Sequence, residues 1–474
     1  MKVVPPIPEE LWQQVPPAAQ AALLAVMQHY EQRLAALQQQ IDDLQQRLGQ
    51  NSTNSSLPPS TDAPTVKRTP PRPASGRARG GQPGHPLQQR PLLPPDRLIS
   101  CQPTACRRCG QALHGVDPEP LRHQVLELPP IRPDVTEYQL HRLRCPGCGT
   151  STCGQLPADV PQGQTGPRLQ AVLALLTGAY RLSKRQVEAL CADVFGVPLS
   201  PGQICQLEQE TADTLDPVLA EIRAYVRTQP ANMDETSWRQ DRHKAWLWVT
   251  VTTYLTLFHI CASRGSKVAK ELVGRYYDEV LTTDRYSAYS WLPLRKRQLC
   301  WAHLQRDFQA MMDRQNAGSA IGEELLVWAE AVFNWWYRVR DGTLSRASFR
   351  TYIGQIRPCF RELLEEGSVC ACAKTAATCR ELLKVEAALW TFARVEGVEP
   401  TNNAAERALR HVVQWRKTSY GTDSAAGSHF VANILSVVAT CRQQGRNVLD
   451  YLTQACEATL QGLKPPSLLP QANA

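Results

Sequence analysis

Residues 231–261 read ANMDETSWRQDRHKAWLWVTVTTYLTLFHIC, and this stretch decides the fold of the largest part of the chain. It holds three short segments rich in Thr, Val and aromatic residues, separated by polar turns, which predicts three β-strands. These segments are 232–238, 245–251 and 255–261. A helical segment at 266–276 and strands at 280–283 and 297–299 follow. Antiparallel strands first and parallel strands after predict a ribonuclease-H-like α/β core.

Three acidic residues fall where such a core can bring them together. Asp234 lies in the first predicted strand and Asp284 ends the fourth, and these two strands are neighbours in the predicted sheet. Glu406 lies one turn into a predicted helix that can pack beside the sheet. Three carboxylates can hold two Mg²⁺ (or Mn²⁺) ions about 3.5–4 Å apart across a phosphodiester. The residues therefore predict a metal-dependent phosphoryl-transfer centre.

Each acid also has a structural alternative. Glu406 can close a capping box with Asn403, and Asp284 can be a helix N-cap. Asp234 is harder to explain in this way, because a buried lone carboxylate is costly unless it is paired or coordinated. Glu235 should point to the opposite face of the strand and is the weaker candidate.

Helices are predicted on both sides of the strands. Residues 167–226 read as helical, with Gly196 as a C-cap and Ser200-Pro201 as the start of the next helix. This pattern predicts a helix-turn-helix, and plain helix packing without a DNA role is the alternative. The residues predicted to contact DNA there are Lys184, Arg185, Gln203 and Gln206. From 307 to 395 no strand signal occurs, which predicts an all-α insertion.

Two C-x-x-C pairs, each followed by glycine, lie between residues 101 and 155. They are Cys106-Arg-Arg-Cys109-Gly and Cys145-Pro-Gly-Cys148-Gly, 35 residues apart. Tight knuckles of this kind aim four thiolates at one tetrahedral Zn²⁺ ion. With strands expected at 125–128 and 136–143, the spacing predicts a zinc ribbon.

The N-terminal part carries a heptad of apolar residues over 18–49, which predicts a coiled coil and self-association. The alternative is one amphipathic helix packed on its own protein. Prolines crowd residues 57–103, and residues 64–100 hold seven Lys or Arg against one acid. A basic connector of this kind suits DNA phosphates, although a soluble linker would have the same composition.

Length and composition bound the class of protein. The 474 residues predict two to four domains. The 16 cysteines do not resemble a small secreted scaffold, no secretory signal is evident, and the apolar stretch 245–262 reads as strands rather than a membrane span. We expect no membrane partner and a cytoplasmic, nucleoid-associated protein of a bacterium.

The chain resembles the transposases of insertion-sequence (IS) family 66 from the heptads nearly to the C-terminus. The motifs that carry the resemblance occur in family order: QNSTNSSLPPSTD (50–62), GGQPGHP (80–86), the two C-x-x-C pairs, MDET (233–236), TDRY (283–286), CWAHLQR (300–306) and NNAAERALR (402–410). The resemblance implies DDE transposition with Asp234, Asp284 and Glu406 as the acidic triad, and recognition of terminal inverted repeats. In similar transposases a C-x-x-H pair such as Cys300 and His303 lies near the active site, with a structural or metal-binding role.

The predicted function is therefore that of a DNA transposase that hydrolyses and transfers DNA strands. Its partners would be element ends and target DNA, a second copy of the chain, and possible accessory proteins of the same element. Around Glu406, basic side chains either meet phosphates or form a solvated face: Arg407, Arg410, Arg416 and Lys417. A non-catalytic DNA-binding descendant of a transposase and a ribonuclease-H-like nuclease are the competing functions.

We expect a multidomain α+β protein. The expected layout is a coiled-coil helix (1–50), a Pro-rich basic linker (51–100), a zinc ribbon (101–155), a helix-turn-helix-like domain (165–228), a catalytic core (229–306 and 396–445) interrupted by an all-α insertion (307–395), and a C-terminal helix and tail (446–474).

Overall fold

The computed structural model describes residues 8–55 and 91–470. Of these residues, one compact unit holds 8–55, 140–187 and 200–470, and a second unit holds 91–139 and 188–199. The boundary at Gln139 lies inside the predicted ribbon of 101–155. Most of the basic linker, together with the GGQPGHP motif, lies outside the described residues. None of the described helices has the length and apolar character needed to cross a bilayer.

The N-terminal heptad forms one long helix. After the short α1 (Glu9–Trp12), α2 runs from Pro17 to Leu48. Its apolar stripe is exposed, with Leu34 65% and Leu37 54% accessible. The stripe therefore does not pack on the described part of the chain. Asn51 ends the segment in a turn, where its Oδ1 accepts the backbone N–H of Thr53 at 2.8 Å.

The second C-x-x-C pair lies in a small hairpin. β1 (Arg142–Arg144) pairs antiparallel with β2 (Ser151–Cys153). The predicted strand at 125–128 is wrong, because this segment has no strand partner and Val125 and Leu128 are about four-fifths exposed. Prolines at 129, 130 and 133 follow it, and each removes a backbone N–H from any ladder. Of the strand expected at 136–143, only residues 142–143 fall in β1.

A set of helices precedes the large sheet. They are α3 (Pro167–Ala174), a π-helical turn (Leu175–Ala179), α4 (Lys184–Phe195) and α5 (Pro201–Val226). The predicted caps are confirmed: Gly196 has a φ of 66°, and Ser200 and Gln203 form a capping box ahead of Pro201. Because residues 188–199 belong to the second unit, the helix-turn-helix itself stays a prediction.

The large sheet has five strands in the order β5-β4-β3-β6-β7. Their bounds are β3 (Ala231–Gln240), β4 (His243–Val251), β5 (Thr256–Cys261), β6 (Leu281–Thr283) and β7 (Arg297–Leu299), with α6 (Ser266–Val273) between β5 and β6. The first three strands are antiparallel and the last two run parallel to β3. The predicted strand directions and the predicted neighbourhood of the first and fourth strands are confirmed.

Helices fill residues 301–394, and no strand lies among them. They are α7 (Trp301–Met312), α8 (Ser319–Arg340), α9 (Arg346–Ser368), α10 (Ala373–Lys384) and α11 (Thr391–Arg394). Their own aromatic core includes Trp301 and Trp390, whose ring centroids are 5.0 Å apart. Phe392 N donates to the side chain of Gln298 at 2.7 Å, which joins this core to β7.

Three helices complete the chain: α12 (Asn403–Ser419), α13 (Ala425–Gln443) and α14 (Val448–Leu460). α13 protects the edge strand β5, because the hydroxyls of Ser436 and Thr440 accept the backbone N–H groups of Phe258 and Thr256 at 2.8 and 3.1 Å. An edge strand whose N–H groups are occupied cannot template a further strand.

Candidate active site

The parallel pairing of β3 with β6 places Asp234 near Asp284. Ala231 pairs with Leu281 and Asn232 with Thr282. Each aspartate lies two residues beyond the last pair, and alternation along a strand puts it on the same face as Asn232 or Thr282. The strand neighbourhood predicted for the two acids is therefore observed.

The start of α12 is tied to the strands that carry the aspartates. The side-chain amide of Asn402 donates to the Met233 carbonyl at 2.9 Å, and its backbone N–H donates to Cys300 Sγ at 3.1 Å. Asn232 donates to the Thr401 carbonyl at 3.2 Å. Glu406 lies one turn further along, so these bonds fix its helix against β3 and against the residue that follows β7.

The three carboxylates interact electrostatically. Burial raises the pKa of Asp234 well above its usual value, and the negative charges of Glu235, Asp284 and Glu406 raise it further. Burial also raises the pKa of Asp284, against the opposing effects of the Tyr286 N–H group and nearby arginines. Buried carboxyls with raised pKa values that lie near one another are typical of functional sites.

Each aspartate keeps one oxygen without a protein donor. Oδ1 of Asp234 accepts the backbone N–H of Glu235 at 2.8 Å, and Oδ1 of Asp284 accepts that of Tyr286 at 2.9 Å. Within residues 8–55 and 91–470, no hydrogen bond reaches Oδ2 of either. Asp284 forms a local turn and is not a helix N-cap, since the next short helix (Ser287–Tyr289) is preceded by Tyr286.

Glu406 does not form the capping box considered above. α12 has Asn402 as its N-cap, and no side chain caps it. Instead, Oε1 of Glu406 is 3.4 Å from His303 Nδ1 and 3.5 Å from an Arg306 guanidinium nitrogen. In the described chain, potential ligand atoms of Cys300, His303 and Glu406 all lie within 4.8 Å of one another, whereas the three carboxylates form no group that compact.

Cys300 and His303 have the properties of structural residues. Burial raises the pKa of Cys300 to about 11 and lowers that of His303 to about 3. Both are therefore neutral near pH 7, and the Cys300 thiol serves as the acceptor for the N–H of Asn402. A neutral imidazole can bind a metal ion, but Cys300 would have to lose its proton to do so. The raised pKa of Cys300 and its hydrogen bond with Asn402 therefore favour the structural role.

Glu235 belongs to a different network on the other face of β3, as predicted. One oxygen accepts the Nε–H of Arg264 at 2.8 Å and forms an ion pair with its Nη2 at 2.8 Å, and the other oxygen accepts the hydroxyl of Tyr289. With both oxygens occupied by partners, Glu235 acts as a structural anchor for its strand.

The acidic pocket fits divalent cations of the magnesium type. Its donors are oxygens, which hard ions prefer. Two of the carboxyls have raised pKa values that a cation would lower, and Oδ2 of each aspartate is available. The buried Oδ1 of Asn402 also lacks a hydrogen-bond partner in the described structure, which is a further polar atom at the same place.

Several side chains that were predicted to contact DNA form bonds with other residues of the protein. Lys184 pairs with the buried Glu208, Gln203 completes the Ser200 capping box, and Gln206 donates to Glu210 at 2.9 Å. Arg416 donates to Thr236 at 3.0 Å and to Ser237, which ties α12 to β3. The side chains of Arg185, Arg407, Arg410 and Lys417 belong to exposed residues.

The two C-x-x-C knuckles have the same local geometry, and each is described by itself because they fall in different units. In one, Cys106 N donates to Gln111 O at 2.8 Å and Gly110 N to Cys106 O at 2.9 Å. In the other, Cys145 and Gly149 form the same two bonds at 2.8 and 2.9 Å. Local hydrogen bonds lower the pKa of Cys106, and those with Thr150 lower that of Cys148 to about 7. Lowered thiol pKa values favour the thiolate that Zn²⁺ binds.

The sequence matches the models of known protein families. The model of the Transposase IS66 family matches residues 162–429, more than half of the chain, and the zinc-finger binding domain of transposase IS66 matches residues 103–149. Residues 7–91 match a family of unknown function, DUF6444. The chain belongs to the IS66 transposase family, and the family's zinc-finger model matches the segment that holds the two knuckles.

An uncharacterized protein, y4qI of Sinorhizobium fredii (strain NBRC 101917 / NGR234), is 28% identical over 247 residues. The match covers 46% of this chain and 44% of that protein, so the chain spans less than half the length of this curated relative.

Proposed function

We propose that the chain is a DDE transposase with a ribonuclease-H-like core, in which Asp234, Asp284 and Glu406 form one divalent-cation site. One observation carries the proposal: the parallel pairing of β3 with β6 sets Asp234 beside Asp284, and the bonds of Asn402 to Met233 and Cys300 hold the Glu406 helix against the same strands. The charges of Asp284 and Glu406 also raise the pKa of Asp234. Structural ion-pair networks also shift pKa values, but no cation of the protein pairs with Oδ2 of either aspartate in the described chain.

The proposed reaction is phosphoryl transfer without a covalent enzyme intermediate. In the first step, a water oxygen bonds to phosphorus at the element end and the 3′ oxygen leaves, taking a proton. In the second step, the freed 3′-hydroxyl attacks a phosphodiester of target DNA in line and displaces another 3′ oxygen. Bound Mg²⁺ (or Mn²⁺) would activate the nucleophile and stabilise the leaving oxygen. Asp234, Asp284 and Glu406 would orient the ions and exclude other cations.

Recognition of the terminal inverted repeats is assigned to the helical region and to the basic side chains around the active site. Arg407, Arg410 and Lys417 are exposed on the helix that carries Glu406, and Arg185 is exposed on α4. Lys184, Gln203, Gln206 and Arg416 have internal partners, so a DNA role for them requires those bonds to exchange. The four cysteines of the two knuckles are proposed to hold one Zn²⁺ ion.

A second copy of the chain is the proposed partner of α2. The stripe on this helix leaves Leu34, Leu37, Ile41 and Leu44 46–65% exposed, and a sustained heptad buries such residues against another helix. Replacing Leu37 with Glu should lower the mass measured by light scattering, whereas Gln32→Glu, an exposed residue on the opposite face of the helix, should not. An unchanged mass in Leu37→Glu would exclude this interface.

The catalytic proposal is tested with Asp284→Asn, which keeps an oxygen to accept the Tyr286 N–H. The control is Asp278→Asn, a fully exposed acid just before the same strand. We expect Asp284→Asn to abolish Mg²⁺-dependent cleavage and strand transfer on duplexes with the element ends, with end binding retained. Asp278→Asn should retain both activities. Cleavage by Asp284→Asn at the wild-type rate would refute the assignment.

A further inference from the structure

A cavity of about 910 Å³ opens on the sheet face that carries the two aspartates. Asn232 and Thr282, each two residues before an aspartate, line it. α12 contributes Arg407 and His411, which follow Glu406 on the same helix. None of the three carboxylates lines the cavity, but each is within two residues of a lining residue, so the cavity lies next to them in the chain. Its volume is that of a small-molecule site.

The mouth of this cavity is cationic. Arg181, Arg407 and Arg442 line it, opposed by the single acid Glu399. Within residues 8–55 and 91–470, the side chains of Arg407 and Arg442 have no hydrogen-bond or ion-pair partner. The charges of Arg442 and Arg181 lower the pKa of His411, in addition to its burial, so these cations lie close enough to repel a further positive charge.

Arg181 is held in place at a conformational cost. Its backbone φ is 63°, in the left-handed region that non-glycine residues seldom adopt. Its guanidinium donates to Gln414 Oε1 at 2.9 Å and to the His411 carbonyl at 3.4 Å. The left-handed conformation ends the preceding π-helical turn, where Leu182 N donates to the Leu176 carbonyl at 3.1 Å. The two side-chain bonds then fix the guanidinium at the cavity.

The floor of the cavity is apolar. Val251, Phe258, Leu435 and Val438 line it and are nearly buried. A ligand that matches both ends needs an anionic group at the mouth and a flat, weakly polar part below it. A nucleotide has this combination, because its phosphate is anionic and its base has an apolar face.

We infer that this cavity binds one unpaired nucleotide of the DNA strand that passes the carboxylates, with its phosphate at the arginines and its base on the apolar floor. The inference rests on the proposed function. It assigns Arg181 and Arg442 a binding role and makes the cavity the place where the strand next to the cleaved bond leaves the duplex. Extruding a nucleotide costs stacking energy, which a matching pocket offsets.

The test uses the full chain in EDTA, where cleavage cannot occur, and a duplex with one unpaired 2-aminopurine nucleotide at its 3′ end. Anisotropy measures affinity, and 2-aminopurine fluorescence reports the base leaving the stack. We expect Arg181→Ala and Arg442→Ala each to weaken binding roughly tenfold. The control Arg350→Ala, an exposed arginine of α9, should bind as the wild type does.

A second variant tests the base separately. Ala439→Leu narrows the cavity and should weaken binding of the 2-aminopurine duplex while leaving the same duplex with an abasic end unaffected. Wild-type affinity in both arginine variants, or equal loss for both duplexes in Ala439→Leu, would overturn the inference. The proposed function would still be supported in that case if the wild type cleaves DNA with Mg²⁺ and Asp284→Asn does not. Cleavage by Asp284→Asn, together with the expected losses of binding in the arginine and Ala439→Leu variants, would overturn only the proposed function.

Discussion

Replacing Cys300 with alanine should loosen the helix that carries Glu406. Cys300 is 1% exposed, and its Sγ is the acceptor for the backbone N–H of Asn402 at 3.1 Å. Removing the sulfur leaves a buried N–H unsatisfied, which costs about 1–3 kcal/mol, and empties a small buried volume worth about 1 kcal/mol. Together these give about 2–4 kcal/mol.

The assay is hydrogen exchange of peptides that span residues 400–409, with cleavage measured in parallel. If this free energy is lost from the local opening of α12, hydrogen exchange at the start of the helix should accelerate roughly 30- to 800-fold. Mg²⁺-dependent cleavage should fall as well, because Glu406 is less well placed. Cys300→Ser keeps an acceptor for the same N–H, so it should lie much nearer to the wild type.

Two results would refute this reasoning. Unchanged exchange in Cys300→Ala would show that the sulfur does not anchor Asn402. The second is an equal rise in exchange and an equal fall in cleavage in Cys300→Ser and Cys300→Ala, with no recovery of either variant on adding Zn²⁺. That result would point to a requirement for the thiol itself rather than for a hydrogen-bond acceptor.

Three further predictions concern other parts of the molecule. Asp234→Asn should raise the free energy of unfolding in EDTA at pH 8 by about 1.4 kcal/mol for each unit by which folding raises the pKa of Asp234, and thermal melting should detect this as a higher melting temperature. A raised carboxyl pKa makes the wild type lose stability as pH rises through the folded pKa. The extra stability of Asp234→Asn should therefore disappear in acid. A variant less stable than the wild type at pH 8 would contradict this prediction. Arg416→Ala should lower the melting temperature by loss of its bonds to β3, whereas Arg410→Ala should leave melting unchanged and reduce the salt dependence of DNA binding by about one ion; the reverse pattern would contradict both roles. Cys148→Ser should lose zinc measured by atomic absorption, and Cys153→Ser, whose Sγ lies 3.8 Å from the Leu140 carbonyl, should keep it; equal zinc in the two variants would count against the knuckle.

The sheet and the helix caps could be predicted from local sequence, because alternation and capping are local effects. The strand 297–299 was predicted with its observed bounds, and the cap at Ser200-Pro201 follows from chemistry within three residues. The strand expected at 125–128 does not form, because a strand needs a partner that periodicity alone does not supply, and three prolines follow this segment.

The sequence predicted which residues form the site, but not the contacts that position them. The predicted ribonuclease-H-like sheet placed Asp234 and Asp284 on neighbouring strands, but nothing local revealed that Asn402 would hold α12 to Met233 and Cys300. Those bonds join residues 169 and 102 positions apart. The same holds for Arg416 and Lys184, whose charges suggested DNA contacts and whose partners, Thr236 and Glu208, lie on other elements.

Binding of Mn²⁺ followed by electron paramagnetic resonance tests the shared cation site most directly. The account predicts that the full chain binds Mn²⁺, that Asp234→Asn and Asp284→Asn each weaken this binding, and that Cys300→Ser leaves it intact. Mn²⁺ binding that survives both aspartate variants but is lost in Cys300→Ser would place the ion with Cys300, His303 and Glu406 and contradict the account.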